Sequence, residues 1–174
     1  METPIPFSSY ALNAVDKKGR VSLPAEMRST IEERAGLAEK HGLQSNPNLL
    51  LIRKDPSVPC LLGVDQTDHF RMAQLMERAE SEAFVPGSDP WARGNDGRFF
   101  GTFERTPFDK AGRMVLNARL RDRVEIGEHA FFLGTRRGIE IWNPKNAHSQ
   151  YTAEGALDVV DIIEYLCAEK EIAL

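Results

Sequence analysis

The sequence predicts an α+β fold made of two tandem, pseudo-twofold β-α-β units that share one core, with helices at the periphery. Three observations predict it. The segment Asp16-Lys17-Lys18-Gly19-Arg20-Val21-Ser22-Leu23-Pro24-Ala25-Glu26-Met27-Arg28 returns ninety-three residues later as Asp109-Lys110-Ala111-Gly112-Arg113-Met114-Val115-Leu116-Asn117-Ala118-Arg119-Leu120-Arg121, with seven of thirteen positions identical. Average residue usage would give roughly one match by accident. Around each copy the same grammar recurs: apolar strand, glycine turn, short strand, helix, apolar strand, turn, strand. One such unit alone buries too little apolar surface to be stable, so the halves are expected to pack on each other.

The elements follow in order. Tyr10 to Val15 is a strand, Asp16 to Gly19 a tight, hairpin-like turn, and Val21 to Leu23 a second strand. Glycine supplies the positive φ, and the aspartate can bond the backbone just ahead of it. Pro24 suits the first turn of a helix, predicted from Ala25 to about Ala35. Leu49–Ile52 and Cys60–Val64 are the remaining strands of the first half, after a loop marked by Gly42, Asn46, Pro47 and Asn48. Thr67 to about Ala83 has helical spacing of Phe70, Ala73, Leu75, Met76 and Ala79. Pro86–Pro90 breaks the chain, and Trp91 to Phe100 reads as a weaker helix or ordered loop. In the second half, Gly101–Phe108 is a strand, Asp109–Gly112 a turn and Arg113–Leu116 a strand. Asn117 caps a helix from Ala118 that stops near Gly127. Ala130–Gly134 and Ile139–Trp142 are strands around a turn at Thr135–Gly138. After Asn143-Pro144, one amphipathic helix is expected from Ala153 to Glu169, with Val159, Ile162, Ile163, Leu166 and Cys167 on one face. The domain reading is 9–65 for the first unit, 66–100 for a helical connector, 101–145 for the second unit and 146–174 for an acidic helical tail.

Composition sets the class. Hydrophobic residues at 41% and charged residues at 28% suit a soluble, folded chain, and no apolar run approaches the ~20 residues of a membrane span. The first residues, Met1 to Pro6, lack a secretory pattern. Cys60 and Cys167 do not make a disulfide framework and read as small buried apolar residues in a reducing cytoplasm. The net charge of −4 is unevenly placed. Glu154 to the end carries −5, so the rest sums to +1, and Glu104–Arg123 holds a local +3. A clustered positive field can bind an anionic polymer on an acidic protein.

The histidines His41, His69, His129 and His148 have no metal-site spacing, and no phosphate loop or nucleophile elbow is present. Asp16 and Asp109 each precede an arginine by four residues, which lowers a carboxyl pKa and suits it poorly to acid catalysis. No catalytic residue, metal or cofactor is expected, and the chain is read as a non-enzyme. The turns are another matter. Lys17, Lys18 and Arg20, and again Lys110 and Arg113, project cations from loops shaped by Asp16 and Gly19 and by Asp109 and Gly112. Arginine can fork onto phosphate or guanine, and lysine suits phosphate as a point charge. A single charged turn is ordinarily just solvated; two matched turns in one chain favour function.

These residues resemble the MraZ family of bacterial transcriptional regulators. The shared features are the Asp16/Arg20 and Asp109/Arg113 pairs, Ala11-Leu12-Asn13, Gly19-Arg20-Val21-Ser22-Leu23-Pro24, Phe132-Leu133-Gly134 and Ile139-Glu140-Ile141-Trp142, in order from about Ser9 to Trp142. The resemblance implies AbrB-like swapped-hairpin units around a β-barrel-like core and a ring-shaped homo-oligomer. It also implies binding to direct repeats in the promoter of a cell-division and cell-wall gene cluster, with Arg20, and Arg113 as its equivalent, at the DNA. The chain departs from the pattern at Asn117, where the first unit has Pro24, in a long linker over His41–Asn48 and in a polar loop over Val85–Arg98.

The functional expectation is a cytoplasmic, nucleoid-associated regulator that binds double-stranded promoter DNA and itself, but no membrane and no small-molecule substrate. A few tip cations per chain bind weakly and with strong salt dependence. Several identical readers on a closed ring would raise avidity. The alternatives are a protein-interaction scaffold or an AbrB-like antitoxin acting through the C-terminal helix.

Overall fold

The computed structural model describes residues 5–83, 86 and 96–174. In chain order the elements are β1 (Tyr10–Ala14), β2 (Arg20–Ser22), α1 (Ala25–Lys40), β3 (Leu49–Lys54), β4 (Cys60–Val64), α2 (Gln66–Glu82), α3 (Asp96–Phe99), a 3₁₀ turn (Phe100–Thr102), β5 (Glu104–Pro107), β6 (Arg113–Val115), α4 (Ala118–Arg123), β7 (His129–Thr135), β8 (Gly138–Trp142), α5 (Pro144–Ala153) and α6 (Leu157–Glu169). The break expected at Pro86–Pro90 and the weak helix from Trp91 lie largely outside the described residues, which resume at α3.

The strands form an antiparallel six-stranded sheet, ordered β1-β7-β8-β4-β3-β5, and a separate two-stranded ribbon, β2-β6. Exchanging the halves (β1 with β5, β2 with β6, β3 with β7, β4 with β8) leaves both orders unchanged. Pairing runs between the halves: Tyr10 faces Leu133, Leu51 faces Arg105, Leu61 faces Ile141 and Val21 faces Met114. The first turn is hairpin-like in its loop but not in its strand pairing. The turn closes on itself through the Asp16 N–H to the Arg20 carbonyl (3.1 Å), but β1 and β2 each pair with a strand of the other half. β1 and β5 are the edges of the six-stranded sheet. The ribbon lies against both, β2 on β1 and β6 on β5.

The inner face carries a core drawn from both halves, including Val15, Val21, Met27, Ile31, Leu50, Ile52, Phe108, Met114, Leu120, Phe132 and Ile141. The outer face is covered in two patches. Leu12, Cys60, Phe131 and Trp142 lie with Ala147, Ile163 and Cys167 of α5 and α6, while Leu49, Leu51, Leu62 and Val64 lie with Met72 of α2 and Phe103. Burial on both faces explains why β3, β4, β7 and β8 read as apolar runs rather than as alternation. Both cysteines are buried and free, and burial pushes each thiol up, away from thiolate chemistry.

Helix ends differ from the sequence expectation. α1 runs five residues past Ala35, because Gly36 is exposed and tolerated, and the stop is Gly42 at φ +78. There the Leu43 N–H reaches Ala38 O and the Gly42 N–H reaches Glu39 O, a Schellman closure. α4 ends at Arg123, short of Gly127, because Glu125 takes the left-handed position (φ 58) and brings buried Ile126 back onto the helix. The tail is two helices rather than one. Asn143 caps α5 with Pro144 in its first turn, and Gly155 at φ +73 separates α5 from α6.

α1 and α2 are joined by buried charge. Arg34 Nε lies 2.9 Å from Asp65 Oδ2, and Arg34 Nη2 lies 2.5 Å from Asp68 Oδ2. The distances are those of ion pairs, but the Arg34 N–H groups do not point squarely enough at the oxygens to count as hydrogen bonds. Burial pushes the Asp65 carboxyl up to about 6 against the opposing pull of Arg34.

Candidate nucleic-acid interface

Each loop is built by one carboxylate. Asp16 Oδ1 accepts the N–H groups of Lys18 and Arg20, each at 2.9 Å, and its Oδ2 accepts Arg20 Nε at 2.5 Å. In the second loop Asp109 Oδ1 accepts the N–H groups of Ala111 and Arg113 at 2.9 Å, and its Oδ2 accepts Arg113 Nε at 2.7 Å. Gly19 (φ +80) and Gly112 (φ +79) turn the chain, and their N–H groups return to the carbonyls of Asp16 and Asp109. Hydrogen bonds from the arginine backbone, then from its side chain, hold both carboxyls below the usual range. The aspartates are thus ionised acceptors.

The arginines are aimed outward. The Arg20 side chain is 64% exposed and that of Arg113 75%. Each is fixed through Nε, and among the described residues the terminal Nη groups carry no bond. Lys17, Lys18 and Lys110 are exposed. The ribbon brings the two arginines together. Arg20 stands opposite Val115 and Arg113 opposite Ser22, so all four share the outer face while Val21 and Met114 point into the core.

The loops also hold each other. The Leu23 N–H donates to Gly112 O (2.8 Å), and the Leu116 N–H donates to Gly19 O (2.9 Å). Half-buried Arg28 of α1 donates from Nη1 to Leu23 O (2.9 Å) and across to Ala111 O (2.8 Å). Arg121 of α4 donates from Nε to Leu116 O (3.2 Å), beneath the first loop. A Cβ on Gly19 would lie 2.7 Å from Leu116 O and 2.9 Å from Arg121 Nε. One on Gly112 would lie 2.6 Å from Leu23 O. The glycines are therefore required by close approach as well as by φ.

Of the positive cluster read from Glu104 to Arg123, Arg119 is neutralised by Glu104 (2.6 Å) and Arg121 is engaged as a brace. Sequence reasoning missed the braces Arg28 and Arg121, whose only signal was their match in the repeat. It also named no role for Arg105, which is exposed and shares a shallow groove with Arg20 and Arg113. Among the described residues no His, Cys, Asp and Glu cluster could hold a metal ion, and no helix is long and apolar enough to cross a membrane.

Comparison with known proteins gives a consistent family. The family model described as "MraZ protein, putative antitoxin-like" matches residues 99–161. A transcriptional regulator MraZ from Rhodospirillum rubrum is 30% identical over 139 residues, covering 80% of each chain. Its namesake from Ruegeria sp. (strain TM1040) is 31% identical over 157 residues, covering 85% of this chain and 83% of its own. That of Rickettsia felis is 32% identical over 143 residues, covering 80% and 83%. These relatives are named as regulators, not as enzymes.

Proposed function

Because the chain belongs to the MraZ family, we propose that it is a sequence-specific, double-stranded DNA-binding transcriptional regulator. The observation that carries this reading is the pair of Asp-braced arginines, Arg20 and Arg113, exposed on one face of the β2-β6 ribbon. In this reading Lys17, Lys18 and Lys110 contact phosphate, and Arg20 and Arg113 contact phosphate or a base edge. Asp16, Gly19, Asp109 and Gly112 keep the loops in shape. The units are AbrB-like swapped hairpins, a reading supported by the exchange of strand partners between halves.

The target is a set of direct repeats in the promoter of a cell-division and cell-wall gene cluster, and the chain works in the cytoplasm at the nucleoid. A ring of identical chains meets those repeats by head-to-tail contacts that close. Linking several weak readers raises avidity without new contacts. The alternative readings, a protein-interaction scaffold or an AbrB-like antitoxin, would act through the exposed side of α6, at Leu157 and Tyr165, since Ile163 and Cys167 pack into the core; the antitoxin-like description of the family model supports the second.

A gel shift on the region upstream of the chain's own gene tests the proposal. Arg20→Ala is expected to keep the fold and the melting temperature while sharply weakening binding. Affinity equal to that of the wild type would refute the assignment of the first loop.

A further inference from the structure

Arg105 sits on the edge strand β5 and is exposed. Among the described residues it has neither an ion pair nor a hydrogen bond. It lines a groove of about 530 Å³ with Thr106, Pro107, Val115 and the two loop arginines. Resting on the DNA-binding reading above, we propose that Arg20, Arg105 and Arg113 form one anion groove, through which both loops of a chain grip the sugar-phosphate backbone of the same duplex, with Arg105 as a phosphate contact.

The repeat shows that the fold does not need a cation at this place. The ninety-three-residue offset puts Leu12 at the equivalent position. Leu12 is buried in the cluster that α5 and α6 cover. On the other side α2 covers Leu49, Leu51, Leu62 and Val64 but leaves Arg105 exposed, so a guanidinium stands at the surface there instead. The two sides of the pseudo-twofold therefore differ by one unpaired cation.

The charge balance points to an anionic ligand. Arg20 and Arg113 each have an aspartate at Nε, whereas Arg105 is in no ion pair among the described residues; Glu39 lines a second cavity with it but lies beyond ion-pair distance. The field of Arg105 reaches His69, whose imidazole is held below its ordinary range by burial and then by that charge. Three guanidinium groups against two aspartates leave the groove net positive, a charge that an anion would offset. The spacing suits a phosphate run. Diagonal positions on an antiparallel pair, as Arg20 and Arg113 are, stand roughly 7–8 Å apart. Long arginine side chains from such positions can close on one phosphate or on neighbours along a strand. The mutual bracing of the loops fixes that separation before DNA arrives.

The test uses the full chain, a duplex carrying its own upstream region and a scrambled duplex of equal length, each over a range of salt. Arg105→Ala is expected to weaken both by roughly ten-fold, the worth of one charge-assisted contact. It should make the log–log salt slope shallower by about one for each chain engaged. Arg105→Gln should repeat this, and Arg105→Lys should restore most of the slope, at an unchanged melting temperature. The Arg20→Ala, Arg113→Ala double variant should lose less than the product of the single losses, because both residues serve one groove. Wild-type affinity and slope in Arg105→Ala, a loss confined to the specific duplex, or strict multiplication in the double variant would each overturn the groove. If the wild-type chain binds neither duplex, the DNA-binding reading itself falls; if it binds and Arg105→Ala changes nothing, only this inference does.

Discussion

One aspartate in each loop gathers two backbone N–H groups and an arginine Nε, so an exposed carboxyl acquires a well-defined, lowered pKa. The sign follows from linkage. A folded-state pKa below the unfolded value contributes stability that is present above the unfolded value and is lost as pH falls through the folded one. The loop brace therefore stays intact through pH 5 and is released only below the ordinary aspartate value of 3.8. Carboxyl NMR titration is expected to place both midpoints under 3.8. Arg20→Ala should move the Asp16 midpoint up and leave that of Asp109 in place. A wild-type midpoint at or above 3.8 would contradict the brace. At this scale the sequence was readable wherever partners lie within one turn, as the four-residue spacing of Asp16 and Arg20 does. Arg28 stood equally plainly in the repeat, but the carbonyl that it reaches belongs to Ala111, eighty-three residues on. Spacing along the chain holds no trace of that contact.

Among the elements, α1 and α4 serve the loops crosswise. Arg28 leaves the first helix to hold the second loop, and Arg121 leaves the second helix to support the first. Removing Arg28 leaves Ala111 O without its side-chain donor, next to a glycine whose carbonyl takes the Leu23 N–H. Arg28→Ala is thus expected to speed amide exchange at Gly112, Arg113 and Leu23 several-fold and to spare Lys18 and Arg20. Faster exchange confined to the first loop would reverse the assignment, and no change in either would remove it. The helices were legible where local chemistry decides, as at the Asn117 cap. They were misread where tertiary context decides. Ile126 is drawn into the core and ends α4 early, although a better left-handed residue, Gly127, follows. The start of α5 is also local chemistry, an Asn143 cap with Pro144 in the first turn.

For the whole molecule, the decisive feature is exchange between halves. Of the six strand pairings, only β3 with β4 and β7 with β8 stay within one half. The pairs β1 with β7, β2 with β6, β3 with β5 and β4 with β8 all cross. The repeat foretold a shared core, and burial economy requires one in so short a unit. It did not foretell which strands trade partners, because an apolar strand reads the same whichever neighbour it meets. The exchange has a consequence for autonomy. A chain of residues 1–65 keeps a single hairpin and leaves β1, β2 and the outer sides of both β3 and β4 without partners. Its best remedy is a second copy, which offers the same register through the pseudo-twofold. Such a chain is expected to be unfolded at micromolar concentration or to fold as a dimer, with a concentration-dependent melting temperature. Light scattering joined to circular dichroism checks this. A folded monomer of that length would show that the crossing pairs are dispensable, and the fixed spacing of the two loops would then need another origin.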